Sequence, residues 1–246
     1  MSLHYKAAGL TDIGKVREEN QDAFYVDENL GLFVVADGMG GMQEGALAAQ
    51  YVTEGLLRLL REGLARLKGK GTKTTVSLIK KAVDKLSSSL RERAGEHTGA
   101  ALVSTLIDGE NAYIAHLGDC RAYLIREGNM QKLTRDHNVA SLLVDAQQIT
   151  SEEARRHPMR HRLTAYVGME GQAIPEVKLI NLKSGDRLLL CTDGLTSMIP
   201  DDEISIILNE QKSQEEALHI LISKTNDAGG YDNITAILID FKQAEV

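Results

Sequence analysis

The residues of this sequence best suited to chemistry are aspartates at the ends of apolar runs. Leu32-Phe33-Val34-Val35-Ala36 leads into Asp37-Gly38, and Leu188-Leu189-Leu190-Cys191-Thr192 leads into Asp193-Gly194. Tyr113-Ile114-Ala115-His116-Leu117 runs into Gly118-Asp119, and Gly230-Tyr231-Asp232-Asn233 stands just ahead of the final apolar run at Ile234. One Asp-Gly alone says little, because it is ordinary turn chemistry and Asp bonds its own backbone there. Four such carboxylates at strand ends say more. Hard divalent cations such as Mg2+ and Mn2+ take oxygen ligands and keep several waters, so a few carboxylates plus a carbonyl are enough to hold a pair. Rival arrangements are missing: the sequence has no glycine-flanked serine elbow, no P-loop, no His-Glu-x-x-His and no cysteine pair at zinc spacing. Cys120 and Cys191 each lie inside an apolar, strand-like run, which predicts burial as small hydrophobes.

Sheets must carry these aspartates. Short strands are expected at 5–10, 23–26 and 32–36, broken by Gly and Asp turn signals. A helix follows over 44–67, where Leu47, Ala48, Tyr51, Val52, Leu56, Leu59, Leu60 and Leu64 recur at helical spacing, weakened by Gly55 and Gly63. After a basic turn at 68–71, a second helix over 74–93 carries Val76, Ile79, Val83, Leu86 and Leu90 on one face. Strands at 100–107, 112–117 and 121–125, joined by tight turns at Asp108-Gly109 and Gly118-Asp119, read as an antiparallel meander. From 137 to 175 the chain is polar, rich in His and Arg, with helical hints only at 141–146 and 151–156, as in an inserted lid. Strands at 177–182 and 187–191, helices near 201–208 and 214–225, and a last strand at 234–241 complete the pattern. Strands, then two long helices, then strands again predict an α+β, mostly antiparallel fold rather than βαβ alternation.

At 246 residues and 43% hydrophobic composition, one domain is the default expectation. A net charge of -7 argues against a general nucleic-acid surface, which relies on Lys and Arg to neutralise phosphates. No basic start joins a long apolar run and no stretch is long and apolar enough to span a bilayer, so a cytoplasmic protein without a membrane partner is expected.

Thr11-Asp12-Ile13-Gly14-Lys15-Val16-Arg17-Glu18-Glu19-Asn20-Gln21-Asp22 resembles the opening motif of the PP2C-type (PPM) metal-dependent protein phosphatases. Asp37-Gly38-Met39-Gly40-Gly41, Gly118-Asp119-Cys120-Arg121-Ala122-Tyr123, Thr134-Arg135-Asp136-His137, Thr192-Asp193-Gly194-Leu195-Thr196 and Asp232-Asn233-Ile234-Thr235 follow in the family's order and spacing. Met39, where other members have His, resembles the bacterial branch. The resemblance implies one phosphatase domain over 1–246, a four-layer α-β-β-α sandwich with two central antiparallel sheets, and a lid at about 137–175. It implies two Mn2+ or Mg2+ ions, with Asp37 bridging both, the Gly38 carbonyl completing one site, Asp193 and Asp232 holding the other, and Asp119 with Asp193 binding a third, weaker ion. Asp22 would fix the waters around the ions and Arg17 the phosphate oxygens, while hydroxide shared by the metals attacks phosphorus in line. The implied substrates are phosphoserine and phosphothreonine proteins, in opposition to a serine/threonine kinase, and the implied state is a monomer. The alternatives are a non-catalytic regulatory module, disfavoured because Asp37, Asp193 and Asp232 are all present, and a hydrolase of small phosphomonoesters.

Several positions depart from the family. Gly99-Ala100-Ala101 replaces the usual Gly-Thr-Thr, His161-Arg162-Leu163-Thr164-Ala165-Tyr166-Val167-Gly168 differs from the usual lid run, and Cys120 replaces a commoner Ser. With Met39 in the histidine position, no general acid is identified. His137 and His161 read as polar lid residues and His116 as an ordinary strand residue.

Overall fold

The structure, a computed structural model, describes residues 3–67, 71–95 and 97–243. The expected turn at 68–71 lies, apart from Gly71, outside the described residues. Two antiparallel five-stranded sheets form the centre. The first runs β1 (Leu3–Asp12), β10 (Ile234–Gln243), β9 (Arg187–Cys191), β6 (Arg121–Arg126) and β7 (Asn129–Lys132). The second runs β2 (Asp22–Asp27), β3 (Leu32–Met39), β4 (Gly99–Asp108), β5 (Asn111–Leu117) and β8 (Glu176–Asn181).

The central strands are apolar on both faces, and their period of two sorts each face into a different core. From β3, Phe33 and Val35 meet Leu188, Leu190, Ile237 and Ile239 of the other sheet. Leu32, Val34 and Ala36 point the other way, onto α1 (Met42–Arg66) and α2 (Thr72–Ala94), where Val52, Leu56, Leu60, Val83 and Leu86 receive them. On the far side, Leu189 and Cys191 pack under α5 (Asp193–Met198), α6 (Asp201–Glu210) and α7 (Gln214–Asp227). The result is the expected four-layer α-β-β-α sandwich. Gly55 and Gly63 do not weaken α1 so much as let α2 approach: a Cβ at either would sit 2.4 Å from Leu86 or 2.3 Å from Leu78. Leu47, expected on the buried face of α1, is exposed.

The expected meander is corrected. β4 and β5 do pair, but β6 lies in the other sheet, between β9 and β7. The Gly118-Asp119 turn is therefore a crossover between sheets, not a hairpin. Its signal is hairpin-like because a tight turn constrains only its own backbone, whereas the choice of sheet depends on which apolar face the next strand completes. Residues 137–175 contain α3 (Val139–Asp145), started by the Asn138 side chain accepting from the Ser141 N–H, and α4 (Ser151–Arg156), started by a reciprocal Thr150–Glu153 capping box. The bridge Asn138–Leu163 closes the segment on itself, and the bridge Ala100–Val167 ties it to β4.

Candidate active site

Each expected site residue is delivered by a different part of the sandwich, at one end of the two sheets. β3 does not stop at Asp37, as its apolar pattern suggested, but continues to Met39. Asp37 pairs across the sheet with Asp22 on one side and Ala101 on the other. Asp119 lies in the crossover after β5, Asp193 opens α5, and Asp232 precedes β10. Backbones at this end are pressed together. A Cβ on Gly38 would lie 1.9 Å from the Gly45 carbonyl oxygen, and one on Gly194 would lie 1.9 Å from the Asn233 carbonyl oxygen.

A cavity of about 780 Å3 opens here, with Arg17, Asp37, Gly38, Asp119, Asp193 and Asp232 in its walls. Asp22 stands behind that wall. Its Oδ2 accepts from the Thr192 hydroxyl at 2.9 Å, while Oδ1 is buried without a hydrogen-bond partner. Burial, outweighing the hydroxyl bonds, pushes its carboxyl up to about 7. Burial and the charges of neighbouring aspartates likewise hold Asp37 and Asp119 well above the usual carboxylate range. Such a group of sunken, mutually repelling carboxylates is satisfied by cations. The oxygen-only donors suit hard divalent ions. The aspartate oxygens are spread wider than one ion's shell: among the described residues, only His116, His137 and Glu176 bring three donor atoms within 4.8 Å of one another.

Arg17 reaches the cavity because its loop is laced to the opposite end of the chain. The Lys15 N–H donates to the Gly230 carbonyl at 2.8 Å. The Asn233 side chain donates to the Ile13 and Glu19 carbonyls and accepts from the Gln21 N–H. The Arg17 guanidinium donates one bond, at 2.8 Å, to Asp232 Oδ2, and both side chains stay partly exposed. The remaining N–H groups of its planar fork suit a phosphoryl group.

Several supporting residues carried no role from the sequence. Thr192 and Asn233 sit beside motif aspartates and could have been found as their neighbours. His161, from the 137–175 segment, brings Nδ1 to 3.4 Å from Asp193, which no local pattern shows. His116 is more than a strand residue: it is buried, donates from Nε2 to the Arg135 carbonyl at 2.7 Å, and stacks on His137. Ala101, at the Gly-Ala-Ala departure, is buried opposite Asp37, where a Cβ on Gly118 would come 2.5 Å from its own. Cys120 and Cys191 are buried and unpaired, and burial raises both thiols far above the thiolate range.

A two-sheet sandwich whose end cavity gathers four aspartates and, at its rim, Arg17, Arg160 and Arg162 has the parts of a metal-dependent phosphohydrolase. Residues 15–238 match the family described as Protein phosphatase 2C. The chain is 32% identical to the serine/threonine phosphatase stp of Listeria monocytogenes over 237 residues, 94% of this chain and 93% of that one. Its fold matches the Streptococcus agalactiae serine/threonine phosphatase with a TM-score of 0.87 at 30% identity, over 96% and 99% of the two chains. The catalytic domain of the serine/threonine phosphatase PstP, in complex with two manganese ions, matches with a TM-score of 0.83 at 28% identity, over 98% and 100%. The chain belongs to the protein phosphatase 2C (PPM) family of metal-dependent serine/threonine protein phosphatases. No helix among the described residues is long and apolar enough to cross a membrane.

Proposed function

We propose that the aspartate-lined cavity is the catalytic centre, in which Asp37, Asp193, Asp232 and the Gly38 carbonyl hold two Mn2+ or Mg2+ ions, and Asp119 with Asp193 a third, weaker one. The observation that carries this is the convergence of Asp37, Asp119, Asp193 and Asp232, from four separate parts of the chain, on the wall of one cavity, where cations offset their mutual repulsion. The two manganese ions of the related PstP domain support the number. Bound there, such ions lower the pKa of water towards neutrality and offset charge on the phosphoryl group.

The chain's own residues do the rest. Arg17 grips phosphoryl oxygens with charge-assisted bonds. Asp22, steadied by Thr192, directs its free Oδ1 as an acceptor for water at the back of the site. Cys120 is buried and absent from the cavity wall, and burial raises its thiol, so it has no place in the reaction. Residues 137–175 act as a lid within a single phosphatase domain over 1–246, since Arg160, His161 and Arg162 line the cavity rim. The substrates are phosphoserine and phosphothreonine proteins, a reading supported by the relatives named serine/threonine phosphatase and protein phosphatase, and the opposing enzyme is a serine/threonine kinase. The proposed form is a cytoplasmic monomer without a nucleic-acid or membrane partner, and the net charge of -7 supports the exclusion of nucleic acid. A titration with a phosphothreonine peptide tests the centre: turnover should appear with Mn2+ or Mg2+, vanish in chelator, and fall by orders of magnitude in Asp193→Asn and Asp232→Asn with circular dichroism unchanged. Chelator-resistant turnover would refute the ion-dependent reading.

A further inference from the structure

One histidine outside the cavity wall holds two segments that meet there. His137 closes Thr134-Arg135-Asp136-His137 and starts the lid segment. Its Nδ1 accepts from the Gly118 N–H at 3.2 Å, and its own N–H donates to the Gly118 carbonyl at 2.8 Å. Both polar groups of the residue before Asp119 are therefore bonded to His137. Its carbonyl accepts from the Thr164 N–H at 2.8 Å, three residues past His161. The crossover needs such a clamp, because β5 and β6 belong to different sheets and no ladder runs through the turn between them. Gly118 itself adopts a φ of 114°, with Ala101 packed too close for any side chain.

The ring is fixed from its other edge. Because Nδ1 accepts, the ring proton sits on Nε2, which faces Glu176 Oε1 at 3.4 Å. The face of the ring stacks on His116 at 4.5 Å, with 24° between planes. His116, His137 and Glu176 together have the donor set of a zinc site. The arrangement is nonetheless wrong for a metal. A ligating imidazole turns its lone pair to the ion and donates its other N–H outward. His137 does the reverse, spending its lone pair on Gly118, and stacked rings hold their in-plane lone pairs nearly parallel instead of convergent.

We propose that His137 is a positioning residue, whose side chain sets the Gly118-Asp119 turn against the catalytic cavity. This rests on the proposed role of Asp119 as an ion ligand, so the test keeps the two apart. His137→Leu retains bulk but loses the acceptor, and His137→Asn places an oxygen where Nδ1 was. Each is compared with the parent, Asp119→Asn and Glu176→Gln by amide hydrogen exchange and by aryl phosphate turnover against Mn2+ concentration. In His137→Leu, exchange should rise in 118–123 while 161–166, held by the His137 carbonyl, stays near the parent, and turnover should fall about tenfold with a higher Mn2+ requirement, the scale typical of losing a group that orients a metal ligand. His137→Asn should restore protection of 118–123 and most of the turnover, and Glu176→Gln should stay near the parent. Unchanged exchange over 118–123 in His137→Leu would overturn the proposal, as would His137→Asn as damaged as His137→Leu. A tetrahedral Co2+ absorption present in the parent and lost in Glu176→Gln would also overturn it, because the cluster would then be a metal site. Parental kinetics in Asp119→Asn would sink the role of Asp119 alone, and the exchange data would still decide whether His137 holds the turn.

Discussion

Gly194→Ala should cost the enzyme most of its rate while sparing its fold. Gly194 is the second residue of α5, beside Asp193, and it faces the backbone of Asn233, beside Asp232. An added Cβ would sit 1.9 Å from the Asn233 carbonyl oxygen, where ordinary contact begins at 3.4 Å. The shortfall of about 1.5 Å falls on backbone rather than on a flexible side-chain tip, so helix and loop must part by roughly that amount. Their separation moves Asp193 away from Asp232. A displacement of about 1 Å in a catalytic constellation is enough to lose about 100-fold in rate. Overpacking of this kind costs about 1–3 kcal/mol of stability, which a domain of this size survives. Turnover of a phosphothreonine peptide across a Mn2+ series should therefore fall about 100-fold in Gly194→Ala. Gly41→Ala provides the control, because its Cβ would meet nothing nearer than 3.7 Å and its φ is -63°. Parental turnover in Gly194→Ala at unchanged Mn2+ dependence would refute the claim that this backbone contact sets the spacing of the two aspartates.

Asp136→Asn should destabilise the fold by about 3 kcal/mol in urea melts, because it leaves a largely buried Arg121 and Lys132 without their shared carboxylate, and a loss below about 0.5 would contradict that pairing. Burial pushes the Asp136 carboxyl up, but Arg121 and Lys132 outweigh it and hold it below its ordinary value. Its stabilisation is thus fully present above the unfolded value of about 3.9 and is lost as pH falls through the lower folded value, so the gap between parent and variant should close only in strong acid. Changing Arg160, His161 and Arg162 together to Ala should cut phosphopeptide turnover about tenfold, the equivalent of about 1.4 kcal/mol of contact with the flanking chain. Aryl phosphate turnover should fall less, by no more than the loss of the His161 contact to Asp193 measured in His161→Ala alone, and equal losses on both substrates would remove the lid from recognition.

The local signals in this sequence were strong because each is written over a few residues. Helical spacing from Ala48 to Leu60, unbroken apolar runs at 32–36 and 188–191, and aspartates beside glycine state which segments are helix, which are strands buried on both faces, and where carboxylates leave the sheets. Those residues, with the ordered motifs, were enough to name the family, the four layers and the candidate ligands. The choice of sheet was not local. β5 and β6 are joined by a hairpin-like turn yet lie in opposite sheets, because the apolar surface that β6 completes belongs to β9 and β7. Contacts between distant residues were equally hidden: Arg17 meets Asp232 across 215 residues, Thr192 reaches Asp22 across 170, and His161 reaches Asp193 from the lid. The sequence sets which side chains can act; only packing of the two sheets decides which of them share a cavity, because apolar burial is non-directional and fixes partners only when the whole surface closes.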